Sequence, residues 1–312
     1  MIALVGSTGF VGGNIAAGGP VDLLFHSTNI EEAFGTKPDI LIYAGLRAEK
    51  FLAEKFPDAD MDSILEAEEN IRKIAPKQLV LISTIDVYED SFRKTEETEA
   101  AGNGAYGRHR AMLEDWVKEN VPDHLIIRLP GLFGKGIKKN FIYDYIHYLP
   151  ALLNSGKFAE LSEQDERLKN YYHLNEKGFY QLADCSGEEK ALLRNIFTTL
   201  GFSALNFTDS RGQFQYYNLE HLYGDIFKAL DNNIKMLNIA AEPVTIGEIY
   251  SFLRDGTFVN EISEKPPCYD VRTGYYRELD GFCAPDGIGG YLYTKQQVLT
   301  EIKEFADKEM QL

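Results

Sequence analysis

An α/β fold with a doubly wound parallel sheet, accompanied by a smaller and mostly helical second region, is predicted by three observations. Short apolar runs alternate with amphipathic helical patterns over residues 1–129, a glycine-rich turn joins the first run to the first helix, and the alternation stops after Pro130. At 312 residues the chain is long enough for one large core or two smaller ones.

The elements follow in order. Residues 2–5 form an apolar strand, followed by GSTGFVGG and a helix that offers Phe10, Val11 and Ile15 for packing. A second strand fits residues 21–25, and a third fits 39–44 (DILIYA) after a connection containing Gly35 and Pro38. Met61, Ile64, Leu65, Ile71 and Ile74 recur at helical spacing, with Pro76 as a stop signal before a buried-type strand at 78–83. Tyr106, Arg110, Leu113 and Val117 share one face of the next helix, and residues 124–129 (HLIIRL) make another strand. From 131 to 208 the chain is rich in aromatics and polar helix formers, which predicts mostly helix outside the sheet until a strand at 236–240. Two late helices cover 246–253 and 294–308. The division implied is a first domain at 1–134, completed by about 214–242, and a second at 135–213 plus 243–312.

The formal net charge of −16 repels polyanions, and no basic cluster offsets it, so nucleic acid and membrane surfaces are excluded as partners. Small-molecule chemistry is the class that remains. Cys185, Cys268 and Cys283 are far apart and lack metal-ligand spacing, which predicts reduced thiols packed in the interior and no metal site. The N-terminal apolar run has no basic region before it and no segment is long and apolar enough to span a bilayer, so a cytoplasmic protein is expected.

Gly6, Gly9 and Gly12 lie between strand and helix, where missing side chains let backbone amides and the helix N-terminus approach a pyrophosphate. This pattern predicts a Rossmann-type dinucleotide site that includes Thr8, Phe10 and Val11. An NAD ribose usually meets an acidic residue after the second strand, but the sequence there is Phe25-His26-Ser27-Thr28. NADP is therefore favoured over NAD, with His26 and Ser27 at this end of the cofactor. Ala44 and Gly45 close the next strand, and Arg47 beyond them either reaches the cofactor phosphate or is simply exposed.

Four motifs, GSTGFVG, ISTIDVY (82–88), AYGRHR (105–110) and RLPGLFG (128–134), stand in an order that resembles the extended short-chain dehydrogenase/reductase family of nucleotide-sugar epimerases, dehydratases and reductases. A fifth segment, RGQFQYYNLEHL from Arg211, is similar to the family's arginine-led return to the sheet. The resemblance implies that Thr84 hydrogen-bonds the reacting oxygen and that Tyr106 is the acid/base of a Tyr-x-x-x-Lys motif. Position 110 is Arg where the family has Lys. A cation one helical turn from Tyr106 would favour the phenolate and lower a pKa of about 10. A guanidinium, however, does not reproduce an ammonium's contacts to ribose hydroxyls or its part in a proton relay.

Asp86 occupies a place where dehydratase and decarboxylase relatives carry glutamate, so it is either a general acid/base or a solvated loop carboxylate. Ile85 beside it argues against a full dehydratase pair. On the substrate side the resemblance points to Arg211 for a diphosphate, which a guanidinium grips with two parallel hydrogen bonds, and to Asn140 for the same nucleotide. Lys135, Lys138 and Lys139 form a local basic patch or a solvated loop, and Phe214, Tyr216 and Tyr217 stack a ligand or belong to the core. Arg272 is a weaker candidate. Family relatives often dimerise through two helices, which implies a homodimer. Two functions follow: an NAD(P)-dependent oxidoreductase or epimerase acting on a nucleotide-activated or related sugar, or a non-catalytic or weakly catalytic dinucleotide-binding sensor of the same fold.

Overall fold

Short, almost wholly apolar strands set the sheet, because a strand buried on both faces has no polar side to show. The computed structural model describes residues 1–311. Its sheet contains β1 (Ile2–Val5), β2 (Leu23–Phe25), β3 (Ile40–Tyr43), β4 (Gln78–Thr84), β5 (His124–Leu129) and β6 (Met236–Asn238). The spatial order is β6-β5-β4-β3-β1-β2, and every pairing is parallel. Val5 lies opposite both Phe25 and Tyr43, so the chain leaves β1, β2 and β3 at the same edge of the sheet. The order reverses at β1, which makes the crevice beyond β1 and β3 the topological switch point where open α/β sheets bind ligands.

Helices cover both faces. On one, α1 (Phe10–Gly18) and α5 (Leu222–Asp231) bring Ile15, Leu222 and Ile226 onto Leu4, Ile42, Val80 and Ile127. On the other, α3 (Pro57–Ile74) and α4 (Gly104–Asn120) bring Ile64, Ile71, Leu113 and Val117 onto Ala3, Leu41, Leu79 and Ile126. Residues i and i+1 of each strand thus serve opposite layers, the doubly wound arrangement that the alternation predicts. A short helix, α2 (Lys50–Lys55), follows β3 and runs almost directly into α3, which starts on Pro57 and ends at left-handed Ala75.

Residues after Pro130 depart from the expected helical stretch. Gly131–Phe133 is a strand paired in parallel with Tyr216–Asn218, so the arginine-led segment forms a separate two-stranded ribbon instead of joining the six-stranded sheet. Leu152–Leu153, Tyr180–Leu182 and Tyr172–Leu174 form a three-stranded antiparallel sheet. Strands of two or three residues are too short to display a period of two, which is why the pattern missed them. The late helices lie at Ile246–Leu253 and Lys295–Met310, close to expectation.

The chain divides into two compact units. The first comprises Met1–Ile137, Gln213–Thr245 and Pro267–Lys303; the second comprises Lys138–Gly212, Ile246–Pro266 and the described residues from Glu304. Residues 267–303 therefore group with the parallel sheet, whereas the sequence placed them with 243–312. The second unit has its own core of Leu153, Phe158, Leu161, Leu193, Ile196 and Phe197. Among the described residues no helix is long and apolar enough to cross a membrane. The cysteines are free, but Cys268 and Cys283 are exposed and Cys185 is half-buried, which corrects the expectation that they pack in the interior.

Asp144, in the second unit's helix Phe141–His147, has its carboxyl pushed up to about 7 by burial. Because the folded value exceeds the unfolded one, its contribution to stability is complete below pH about 4 and is lost as the pH rises to 7. Asp144→Asn should match the parent near pH 4 and exceed it by roughly 2–4 kcal/mol at pH 8. Denaturant titrations at the two pH values check this, and an equal gain at both would remove Asp144 as the cause.

Candidate active site

The glycine turn is shaped by its neighbours. Gly6 has φ +89°, and the N–H groups of Gly6 and Ser7 both donate to the Phe25 carbonyl at the end of β2, at 2.9 and 3.1 Å. A Cβ at Gly6 would overlap the Ala44 carbonyl, and one at Gly12 would overlap the carbonyl of Gly6. These two glycines therefore bring β1, α1 and the end of β3 together. Gly9 does something else: exposed and extended, it caps α1 without a side chain and leaves the first-turn amides uncovered. That open N-terminus at the switch point fits the pyrophosphate of a dinucleotide.

Thr8 is exposed at the turn, while Phe10 and Val11 pack partly into the core. After β2, the His26 N–H donates to Asn29 Oδ1 at 2.7 Å, and the His26 Nδ1 lies 3.0 Å from Thr28 Oγ1. Ser27 is exposed, and no carboxylate occupies residues 26–29. Ala44 continues from β3 with its N–H on the Val5 carbonyl, and Gly45 and Arg47 are exposed beyond it.

β4 delivers the second group of residues. Thr84, at its end, accepts the Asp86 N–H on Oγ1 at 3.1 Å. The first turn of α4 packs against this bend so closely that a Cβ at Gly107 would overlap the Asp86 carbonyl. Asn103, which precedes α4, makes no side-chain cap. Glu54 of α2 takes that task, accepting the N–H groups of Ala105 and Tyr106 at 3.0 and 3.2 Å, where a negative charge is favoured. These bonds hold its carboxyl below the usual carboxylate range.

Tyr106 is buried, with Thr84 near enough to its hydroxyl to favour the phenolate. The Arg110 guanidinium lies over its ring, 4.4 Å from the centroid, as the helical spacing predicts. The expected lowering of the phenol pKa does not result. Burial raises it and outweighs the Arg110 charge, with Asp86 adding to the rise and the neighbouring Thr84 opposing it, so the phenol sits above its ordinary value. Part of the reason is that Arg110 is committed elsewhere. Its Nη1 donates to Asp60 at 2.7 Å and its Nη2 to the Arg47 carbonyl at 2.8 Å, and Asp60 also pairs with His109 Nδ1 at 2.8 Å. Asp86 is not a solvated loop carboxylate either; Lys50 of α2 pairs with it at 3.0 Å.

A charged network behind the site went unread in the sequence. Arg128, 1% exposed, pairs with Glu114, 0% exposed, through Nε at 3.0 Å and Nη2 at 2.5 Å. Glu114 also accepts from Ser83 at 2.6 Å, and Arg128 Nη1 donates to the Tyr88 hydroxyl at 2.7 Å. The legible signal was an arginine inside the apolar run HLIIRL, because a charge at such a position requires a buried partner.

The second unit holds Asn140 and Arg211, each in local contacts. Asn140, at φ +92°, caps Phe141–His147 by accepting the N–H groups of Ile142 and Tyr143. Arg211 grips Asp209 with Nε and Nη2 at 3.0 and 2.8 Å, and also donates to Glu261 at 3.0 Å and to the Ser263 carbonyl at 2.7 Å. Both residues thus support their own unit's backbone, and neither is in the unit that carries Thr84 and Tyr106. Lys135, Lys138 and Lys139 are exposed. Of the aromatic set, Tyr216 and Tyr217 are buried, with Tyr217 bonded to Asp225 at 2.7 Å, and Phe214 is half-buried and stacks on Tyr269 with centroids 5.6 Å apart. Arg272 is buried between Asp270 and Asp286.

A glycine turn at the switch point, with Thr84 at the end of β4 beside Tyr106 of α4, defines a Rossmann-type unit. Residues 19–149 match the family model described as the RmlD substrate binding domain, which bears out the resemblance drawn from the motifs. A dTDP-4-dehydrorhamnose reductase from Clostridium acetobutylicum shares the fold, at 16% identity and a TM-score of 0.62 over 100% of this chain and 99% of that one. A dTDP-4-dehydrorhamnose reductase from Bacillus anthracis, solved with NADP, has 15% identity and a TM-score of 0.62, covering 98% of this chain and 97% of that one. The Bordetella bronchiseptica enzyme WbmG, solved with NAD, has 12% identity and a TM-score of 0.63, covering 99% and 94%. Comparison with curated proteins finds no match.

Proposed function

We propose that the protein is a NAD(P)-dependent oxidoreductase that reduces a keto group on a nucleotide-activated sugar. The observation that carries this reading is the placement of Thr84, at the end of β4, beside the buried Tyr106, in the same unit as the uncovered N-terminus of α1. The match to the RmlD model supports the reductive direction over epimerisation.

In this reading Gly6, Thr8, Gly9, Phe10, Val11 and Gly12 surround the pyrophosphate. Ala44 and Gly45 line the cofactor beyond β3. His26, Ser27 and Arg47 take the adenosine end, and the absence of a carboxylate among residues 26–29 favours NADP over NAD. The reduced nicotinamide supplies a hydride. The Thr84 hydroxyl polarises the carbonyl oxygen, and Tyr106 gives it the phenolic proton. A phenol held protonated by burial suits this direction, because reduction needs the acid form. Asn140 and Arg211 remain the substrate-side candidates; Arg211 would meet a diphosphate by exchanging its bond to Glu261. A cytoplasmic homodimer completes the reading, and light scattering tests its oligomeric part.

Calorimetric titration with NADPH and NADH, followed by loss of reduced-nicotinamide absorbance on addition of nucleotide keto-sugars, tests the function. NADPH should bind more tightly and be consumed. Failure of both cofactors to bind would end the proposal, and binding without turnover of any keto-sugar would leave the sensor reading in its place.

Arg110→Lys restores the family residue, yet an ammonium cannot span Asp60 and the Arg47 carbonyl as the guanidinium fork does. The variant should lose about 1–3 kcal/mol of stability and gain no turnover. Thermal denaturation and NADPH consumption, measured in parallel, check both halves.

A further inference from the structure

Two cations stand near Tyr106, and they differ in what they can do. Arg110 is 4% exposed, is paired with Asp60, and cannot give up a proton at any working pH. Lys50 is 50% exposed on its side chain, and its partner Asp86 is 23% exposed. Only Lys50 is therefore open to solvent and to an arriving ligand.

Its position is not incidental. Lys50 and Glu54 are one turn apart on α2, so they share a face. Glu54 is pinned to the amides of Ala105 and Tyr106, and Lys50 to Asp86. Asp86 in turn donates its N–H to Thr84, and its carbonyl abuts Gly107 in the turn that carries Tyr106. We propose that Lys50, acting through Asp86, is the positioning residue that sets the charge around Tyr106, the task a lysine at position 110 would otherwise perform, while Arg110 serves the fold. The proposal rests on the oxidoreductase reading above.

The charged and titratable groups around Tyr106 are Arg110 on α4, Lys50 and Glu54 on α2, Asp60 on α3, Asp86 after β4, and Tyr269 beside Lys50 and Asp86. Burial opposes the Lys50 ammonium, but Asp86, Tyr269 and Tyr106 together raise its pKa, so it stays charged through the neutral range. Without Lys50, the Asp86 carboxylate would face the phenol unopposed and make the phenolate harder to form.

A difluorinated tyrosine placed at position 106 of the full chain, without cofactor or substrate, lowers the phenol titration and reports it through its fluorine resonances. Lys50→Met should raise the midpoint by about one unit and Asp86→Asn should lower it, while Lys50→Arg leaves it in place. A midpoint unmoved by Lys50→Met, or moved as far by Lys50→Arg, overturns the proposal. Because the titration contains no cofactor, its outcome is separate from that of the binding and turnover experiments, whose failure would remove the enzyme reading and leave the titration intact.

Discussion

Tyr106→Phe should lower turnover of the keto-sugar by about 10²–10⁴-fold while leaving fold and cofactor affinity nearly unchanged. The substitution removes one oxygen. Phenylalanine keeps the ring beneath the Arg110 guanidinium, 4.4 Å from its centroid, and Thr84 retains the Asp86 N–H as a partner. No buried polar atom is orphaned, so the usual cause of a large stability loss is missing. Steady-state kinetics beside calorimetric cofactor binding and thermal denaturation separate the effects. Undiminished turnover would take the proton transfer away from Tyr106. In the proposed reduction the rate requires the neutral phenol, whose pKa lies above its ordinary value. The rate limit set by this group should therefore be flat through neutral pH and fall only as alkaline pH removes the proton.

The parallel sheet was legible because its strands are apolar on both faces and its helices on one, a contrast that needs no tertiary information. HLIIRL predicted β5 residue for residue, and the Gly6 turn joins the first strand to the first helix as expected. What the sequence hid was set by long-range pairing. Nothing local to Lys50 says that it will meet Asp86, and nothing local to Glu54 marks it as the cap of a helix fifty residues on. Arg110 was visible as a departure from lysine, but its engagement with Asp60 and the Arg47 carbonyl depends on how α3 and the end of β3 pack. Asn140 and Arg211 carry the same lesson from the other side. A polar side chain flagged by resemblance was found supporting backbone, the commoner employment of Asn at a helix start and of Arg beside an Asp.

Glu114→Ala should be the most damaging single change outside the proton-transfer pair, costing about 3–5 kcal/mol. It would leave Arg128, 1% exposed, charged and without its carboxylate, and would deprive Ser83 of its acceptor. The replacement of both partners is a different matter. Arg128→Met combined with Glu114→Leu takes two charges out of the interior together, and most of the stability should return, since the desolvation cost disappears with the ions. Activity should not follow. The pair joins α4, which carries Tyr106, to β5 and to Ser83, the residue before Thr84, and through Tyr88 it reaches the bend that contains Asp86. Hydrogen bonds of fixed direction hold those four segments in register in a way that apolar contacts, being non-directional, do not. Denaturant titration and turnover of the single and double variants make the distinction. If the double variant regains both stability and rate, the ion pair serves the fold alone. If it regains stability only, the buried charges are there to aim the end of β4 at Tyr106.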